Sequence, residues 1–285
     1  MALLRRLLRN AMGAPSPLRA LALGSCRVHD PLGAAHALGQ IEYLNSSIRV
    51  STPIYLHDVH EMLQFLRLAN GTLSMPTELA PFAFRDWRPA PQLALLARAE
   101  RLVTEVCTDK HYEAMGFTLN INEIHRQLVE PAGEAGHAWW SDAHRGQCAP
   151  MGVVSDVEAT LRRRGKLTKV HGEILRGLSL VTLSATAIAE SLARLQRLVS
   201  CPILVMPHVA VRLQDGTLLA ERTEHIGKVI EAAAQSGLTI LNPQRFIDRD
   251  AQERVLAEGG RDLHHYAVNY LPIVGLEIVR SLRVL

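Results

Sequence analysis

The stretch LALGSCRVHD, residues 21–30, decides the fold of this chain because an apolar run ends there in small residues and polar residues follow at once. The run is too short for a helix and stops at Gly24, which predicts a buried strand followed by a tight turn. The segment PLGAAHALGQIEYL, which begins at Pro31, then has the pattern of a helix. A strand, a glycine turn and a helix together form the opening unit of an α/β protein.

The rest of the chain continues this alternation of strands and helices. Further strands are predicted at residues 49–56, 101–107, 201–209 and 238–243. The stretch from Val153 to Leu198 is predicted to be helical, and the part before it, which lacks one clear period, is interpreted as an insertion or lid. Alternating units of this type predict a mostly parallel sheet with helices on both faces. We therefore expect a single α/β domain over residues 18–285, with an insertion at about 113–152.

The first 17 residues form a separate basic segment that contains no acidic residue. Leu3, Leu4, Leu7 and Leu8 share one face of a predicted helix, and arginines lie beside them. A basic amphipathic helix of this kind docks on anionic lipid or serves as a transit peptide. The alternative is a frayed N-terminal arm that caps the domain.

Composition excludes several classes of protein. Hydrophobic residues make up 48% and charged residues 21%, as in an ordinary globular protein. No apolar run approaches the roughly 18 residues of a membrane-spanning helix. The net charge of +3 is too small to indicate a nucleic-acid partner. We expect a cytoplasmic protein, with peripheral membrane contact through the N-terminal segment as a second expectation and with the oligomeric state open.

The four cysteines give no sign of a metal site or a disulfide framework. Cys26, Cys107, Cys148 and Cys201 are scattered and form no CxxC pair. We interpret them as reduced thiols in a cytosol-like compartment.

Reactive side chains follow the predicted strands or precede the last helix. Ser25 and Cys26 follow the first strand, Lys110 follows the third, and His208 and Arg212 follow the strand at 201–209. Because the carboxyl ends of parallel strands meet at one edge of the sheet, these groups are expected to lie at a shared site. The segment DLHHY, residues 262–266, is expected to join them there.

A thiol or hydroxyl nucleophile needs a base within hydrogen-bond reach and a third group that orients the base. Asp262 and His265 are three residues apart, so one turn of chain lets the carboxylate reach the ring. Cys26, beside a histidine and a helix N-terminus, is then expected to have a lowered pKa. Ser25 is the alternative nucleophile, and His264 competes with His265. The backbone N–H groups of residues 25–27 are expected to stabilise an anion.

These residues carry a resemblance to a known superfamily. Gly24-Ser25-Cys26 resembles the Gly-Asp-Ser block of SGNH (GDSL-type) hydrolases, and Asp262-x-x-His265 resembles their terminal Asp-x-x-His block. The nearest likeness is to branches with Cys at the nucleophile position, the GSCFA-type proteins and the WcbI-type capsule-polysaccharide proteins. PIYLHDVHEMLQFLRLANG and PILVMPHVAVR are similar to segments of that group as well.

The resemblance implies a flavodoxin-like three-layer α/β sandwich with a mostly parallel sheet. It implies hydrolysis or transfer of an acyl group, often on carbohydrate. By motif position, Cys26 corresponds to the nucleophile, Asp262 to the acid and His265 to the base. The Gly and Gly-x-Asn oxyanion blocks of the superfamily are not identifiable here.

Six residues remain as candidates for binding the substrate or the oxyanion, namely Arg27, Asn45, Lys110, His208, Arg212 and His264. A small-molecule or carbohydrate substrate is expected, without a metal or resident cofactor, and acyl-coenzyme A is one candidate acyl donor. The alternative function is a non-catalytic member of the same fold that binds a carbohydrate or nucleotide-sugar.

Overall fold

A computed structural model describes residues 17–46, 55–85 and 95–285. The N-terminal basic segment, through residue 16, lies outside the described residues. The strands in the described part are, in chain order, β1 (Arg19–Leu23), β2 (Glu42–Tyr43), β3 (Arg101–Val106), β4 (Lys110–Ala114), β5 (Phe117–Leu119), β6 (Ser179–Thr182), β7 (Ile203–Pro207) and β8 (Thr239–Ile240).

The helices lie between and after these strands. They are α1 (Cys26–Ala37), α2 (Val59–Ala69), α3 (Ala80–Ala83), α4 (Ile121–Ile124), α5 (Glu130–Ala132), α6 (Glu134–Ala143), α7 (Met151–Arg163), α8 (Lys169–Gly177), α9 (Ala185–Leu198), α10 (Ala220–Gln235), α11 (Gln244–Asp250), α12 (Gln252–Val255) and α13 (Leu271–Arg283). A π-helical turn, His125–Val129, joins α4 to α5, and a 3₁₀ turn, Ala257–Gly260, follows α12.

The central sheet has five parallel strands in the order β2-β1-β3-β7-β8. Numbered along the chain within this sheet, the order is 2-1-3-4-5, which is a doubly wound arrangement. In such a sheet the first strand lies inside, so the turn after β1 reaches the edge where ligands bind. The prediction of a mostly parallel α/β sheet is confirmed.

Side-chain alternation along β1 sends apolar groups to both faces of this sheet. Leu21 and Leu23 pack on one side with the buried faces of α2, α9 and α10. Ala20 and Ala22 pack on the other side with α1 and α13. Because successive strand residues point to opposite faces, the five strands lie between two helical layers. This gives the three-layer α/β architecture that the sequence predicts.

The chain between β3 and α9 forms a lobe with its own core. Strands β5, β4 and β6 make a second, antiparallel sheet. Helices α4–α8 cover it, and the fully buried Trp139 lies in the core between them. The segment 113–152 lies within this lobe. The prediction that residues 153–198 are helical is wrong at β6, whose partner strand lies far earlier in the chain and leaves no local periodicity to find.

Two further predictions concern the first half of the chain. The predicted helix from Pro31 to Leu44 ends at Ala37, and Glu42 and Tyr43 instead pair with β1. The predicted strand at 49–56 lies almost entirely outside the described residues. Across the described residues, every helix is too short or too polar to span a lipid bilayer.

Close packing of α13 on α1 provides a test of this architecture. A Cβ atom added at Gly275 would lie 2.3 Å from the backbone oxygen of Pro31. Gly275→Ala is therefore expected to push the helices apart and lower the free energy of unfolding by about 1–3 kcal/mol. Urea denaturation followed by circular dichroism measures this change.

Gly227→Ala is the matched control, because Gly227 also lies inside a helix but has open space around its missing Cβ. That substitution is expected to stabilise the protein by up to about 1 kcal/mol through helix propensity. Equal effects of the two substitutions would contradict the close contact between α1 and α13.

Candidate functional site

Ser25 terminates the turn after β1 and caps α1. Its Oγ accepts a hydrogen bond from the Arg27 N–H at 3.2 Å and donates to Glu105 Oε2 at 2.5 Å. The Ser25 N–H donates to the same carboxylate oxygen at 3.2 Å. Gly24 is required here because a Cβ atom would lie 2.9 Å from the Glu105 Cβ. The Ser25 hydroxyl is thus held by a carboxylate on β3, and not by an imidazole.

Cys26 is the first residue of α1, and its half-buried side chain faces a cavity. Its Sγ lies 3.9 Å from the backbone oxygen of His264, so the two ends of the chain meet at this point. Burial raises the pKa of the Cys26 thiol to about 11, and the charges of Glu105 and Asp30 act in the same direction. The prediction of a lowered pKa is therefore wrong, because burial and these two carboxylates outweigh the effects of Arg27 and Ser25.

Asp262 and His265 make the contact that their spacing predicts. His265 Nδ1 donates to Asp262 Oδ2 at 2.7 Å. Asp262 Oδ1 accepts the backbone N–H groups of His264 and His265 at 2.8 and 3.2 Å. Burial opposes ionisation of Asp262, but these hydrogen bonds outweigh it and lower the pKa of the carboxyl. The carboxylate fixes the ring so that its other nitrogen, Nε2, is free to accept a proton.

One cavity of about 620 Å³ collects most of the predicted site residues at the carboxyl ends of β1, β3 and β7. Its lining includes seven of them, Ser25, Cys26, Arg27, Lys110, His208, His264 and His265. Asp262 is linked to the cavity through His265. The prediction that the carboxyl ends of the strands gather these groups agrees with this geometry.

Besides Asp262, two predicted site residues do not line this cavity. Asn45 is bound to the backbone of β1, where its Oδ1 accepts the Ala22 N–H at 2.8 Å and its Nδ2 donates to the Ala22 oxygen at 2.9 Å. Arg212 donates to the Gly216 oxygen at 2.9 Å within its own turn. Asn45 thus completes the sheet and Arg212 closes a loop, so neither side chain is directed to Cys26.

Lys110 and His208 both line the cavity. Lys110 Nζ lies 3.4 Å from His144 Nε2 and 3.5 Å from Glu221 Oε2. His208 is buried, and this burial, together with the charges of Arg27 and Arg222, lowers its pKa well below the usual value. The His208 ring is consequently neutral near pH 7, and its Nδ1 accepts the Val209 N–H at 2.8 Å.

Arg222 is a cavity residue that the sequence analysis missed. Its Nη1 donates to the Leu263 oxygen at 2.9 Å, and Arg27 Nη2 donates to the same oxygen at 2.7 Å. Burial lowers the pKa of Arg222 to about 10, and the charge of Arg27 adds to the effect. Its position in the first turn of α10, the helix after β7, is the signal that could have identified it.

Glu105 is a second missed residue, and it lies under the cavity floor. The side chain is fully buried on β3 and holds the Ser25 turn. Burial raises the pKa of its carboxyl. A lone acidic residue in an apolar strand was the available signal, because a buried carboxyl needs polar partners.

Sequence comparison assigns the chain to a family. A family model described as the TviD N-terminal domain matches residues 18–281. The chain belongs to the TviD N-terminal domain family. The match to this family includes both the Ser25-Cys26 turn and the Asp262–His265 pair.

A curated relative agrees with the assignment to the TviD N-terminal domain family. The chain is 24% identical over 261 residues to the Vi polysaccharide biosynthesis protein TviD of Salmonella typhi. The aligned region covers 90% of this chain and 30% of that relative. The likeness therefore concerns less than a third of the larger protein.

The raised pKa of Cys26 predicts slow alkylation near neutral pH. A thiol with a pKa of about 11 is almost fully protonated at pH 7, and only the thiolate reacts. The iodoacetamide rate at Cys26 is expected to rise about tenfold per pH unit between pH 7 and 9. Peptide mass spectrometry measures the rate, with the exposed Cys148 as an internal comparison that reacts faster at pH 7. Rapid labelling of Cys26 at pH 7 would show a preformed thiolate instead.

Proposed function

We propose that this chain is an SGNH-like enzyme that transfers or hydrolyses an acyl group through Cys26. The supporting observation is the bond between Asp262 and His265 in a loop whose backbone touches the Cys26 sulfur. Nucleophile, base and orienting carboxylate are the three parts that covalent acyl transfer requires. Cys26 and His265 line one cavity and Asp262 is bonded to His265, which supports the assignment of the three roles.

In the first half-reaction, the sulfur of Cys26 attacks the acyl carbonyl. The S–H bond breaks as the S–C bond forms, and the proton passes to His265 Nε2. Asp262 stabilises the resulting imidazolium. When the tetrahedral intermediate collapses, the C–O bond to the leaving group breaks and His265 returns the proton to that oxygen. The product is an acyl thioester on Cys26 and a free alcohol. With an acyl thioester as donor, the C–S bond of the donor breaks in the same way.

In the second half-reaction, His265 removes a proton from water or from a sugar hydroxyl. The new oxygen attacks the thioester carbonyl, the S–C bond breaks, and the proton returns to the Cys26 sulfur. The raised pKa of Cys26 makes this sequence depend on the base, because little thiolate exists before substrate binds. Proton removal and attack are therefore coupled, as in a serine enzyme.

We propose a carbohydrate as the acyl acceptor or as the acylated substrate. The supporting observations are the name of the TviD relative, which is a polysaccharide biosynthesis protein, and the polar groups of the cavity, which suit sugar hydroxyls. Among acyl donors, acyl-coenzyme A and an acyl ester are both compatible with attack by a cysteine.

A second candidate function is binding of a carbohydrate without catalysis. The raised pKa of Cys26 favours it, since a protonated thiol is inert without an effective base. The two functions differ in one product, the acyl-Cys26 thioester, which only the enzyme forms.

Cys26→Ala is expected to abolish acyl transfer because the nucleophile is removed. Activity on 4-nitrophenyl acetate should fall at least about 1000-fold, and the acetyl adduct on the residue 26 peptide should disappear from mass spectra. Cys148→Ala, which changes an exposed cysteine away from the cavity, is the control and should retain both signals. Full activity of Cys26→Ala would exclude this mechanism.

Asp262→Asn is expected to leave the fold intact and reduce kcat about 100- to 10,000-fold with little change in KM, because the amide no longer fixes the proton on His265 Nδ1. Steady-state kinetics on the same ester measures kcat and KM separately. An unchanged kcat would mean that the contact between Asp262 and His265 is structural only.

A further inference from the structure

Acyl transfer through Cys26 generates an oxyanion, and the turn after β1 has few donors left to bind it. The Ser25 N–H donates to Glu105, and the Arg27 N–H donates to the Ser25 hydroxyl. Of the three backbone groups expected to stabilise an anion, this leaves the Cys26 N–H. Asn45, the other candidate, is committed to Ala22. Enzymes of this type need preorganised donors at the developing negative charge, so another group has to supply them.

The guanidinium groups of Arg27 and Arg222 converge next to this position. Both donate to the backbone oxygen of Leu263, at 2.7 and 2.9 Å. The oxygen of the next residue, His264, lies 3.9 Å from Cys26 Sγ. Both guanidinium groups are therefore held at Leu263, the residue before the one whose backbone oxygen lies near the sulfur, and both line the same cavity.

Arg27 also has an unused donor. Its side chain is only 2% exposed, and its Nη1 is buried without a hydrogen-bond partner among the described residues. The guanidinium group lies 5.3 Å from the centre of the Tyr266 ring, which supports the cation. The buried Tyr266 hydroxyl and Glu105 Oε1 likewise have no hydrogen-bond partner among the described residues. A buried, charged donor without an acceptor is costly, and its presence indicates a site that an anion completes.

Carboxylates near the two arginines have other partners, except for Glu105 Oε1, which is buried without a hydrogen-bond partner among the described residues. Glu105 binds the Ser25 turn, and Asp109 accepts a bond from Lys228 at 2.7 Å. Glu221 is mostly exposed and contacts Lys110. In the described part of the chain, neither guanidinium group has a salt bridge to a carboxylate within 4.0 Å. Without a direct ion pair there, both guanidinium groups can donate to a substrate oxygen.

We propose that Arg27 and Arg222 form a two-guanidinium anion site beside Cys26, and that this site stabilises the oxyanion of the acyl-transfer intermediate. The proposal rests on the proposed function. Guanidinium groups are charged near neutral pH and present several donors in fixed directions. They would replace the Gly and Asn donors that the sequence lacks, and both arginines would be catalytic residues.

The kinetic test uses Arg222→Gln and Arg222→Lys with the neutral ester 4-nitrophenyl acetate. Loss of one oxyanion donor is expected to lower kcat about 100-fold for Arg222→Gln while KM changes less than about threefold. Arg222→Lys, which keeps the charge, should recover part of the loss. Arg212→Gln is the matched control, since Arg212 bonds within its own turn and does not line the cavity.

The neutral ester carries no negative charge of its own, so an effect of Arg222→Gln on kcat reports the oxyanion that forms during the reaction. If Arg222→Gln left kcat on the neutral ester unchanged, the arginines would not hold the oxyanion, and the proposal would be overturned. A decrease in kcat for Arg212→Gln as large as that for Arg222→Gln would also overturn the proposal.

A second measurement tests the anion site without turnover. Inorganic phosphate is expected to raise the thermal midpoint of the wild-type protein and of Arg212→Gln, and not that of Arg222→Gln, because a ligand of the folded state stabilises it. Equal shifts in all three proteins, or no shift in the wild type, would overturn the site.

If the wild type gave neither ester turnover nor acyl-Cys26, the proposed function would fail. A phosphate shift that depends on Arg222 would then support the anion site while removing its role in acyl transfer.

Discussion

The hydrogen bond from Arg27 to the Leu263 oxygen joins the first helix of the sheet to the loop before the last one. The two residues are 236 positions apart, yet the donor and acceptor atoms lie 2.7 Å apart. The bond places the loop of Asp262 and His265 beside the N-terminus of α1, where the His264 backbone oxygen lies 3.9 Å from Cys26 Sγ. Packing of α13 directly on α1 supports the same register, since Gly275 brings the helix against the Pro31 backbone. The site exists because the two ends of the domain are fixed to each other.

This arrangement requires charged side chains to be buried beside the cavity. Arg27 and Glu105 are both almost fully inaccessible, and each has one polar side-chain atom without a partner in the described residues. Isolated buried charges are unfavourable, so the pair relies on Coulomb attraction and on the Ser25 turn for compensation. Glu105 holds Ser25, Ser25 caps α1, and α1 presents Cys26. The contact between Glu105 and Ser25 therefore positions Cys26, the proposed nucleophile, through the backbone.

Patterns local in sequence predicted most of the fold and part of the site. The strand before Gly24, the strand at 203–207 and the carboxylate contact across Asp262-x-x-His265 depend on neighbours a few residues away, and periodicity or spacing shows them. β2 and β6 were missed because pairing with earlier strands, and not their own pattern, makes them strands. The hairpin of β4 and β5 was also missed, because it lies at the start of the segment interpreted as an insertion or lid. Arg222 and Glu105 were also missed, because their roles depend on residues distant in sequence. Their importance comes from what converges on them in space, and Asn45 and Arg212 looked equally suitable until their backbone partners were known.

The pKa of Cys26 shows how these local and distant effects combine in the chemistry. A cysteine at a helix N-terminus beside arginine has a stabilised thiolate in most surroundings. Here burial comes first, and Glu105 and Asp30 add negative charge that opposes ionisation. The positive field of Arg27 and Arg222 is thus not consumed by a resting thiolate, and His208 and His264 are kept neutral by burial and by the same two cations. In the proposed mechanism, the positive charge of Arg27 and Arg222 is then left for the oxyanion. Fixed charges that act only when this oxygen forms favour the transition state over the resting enzyme.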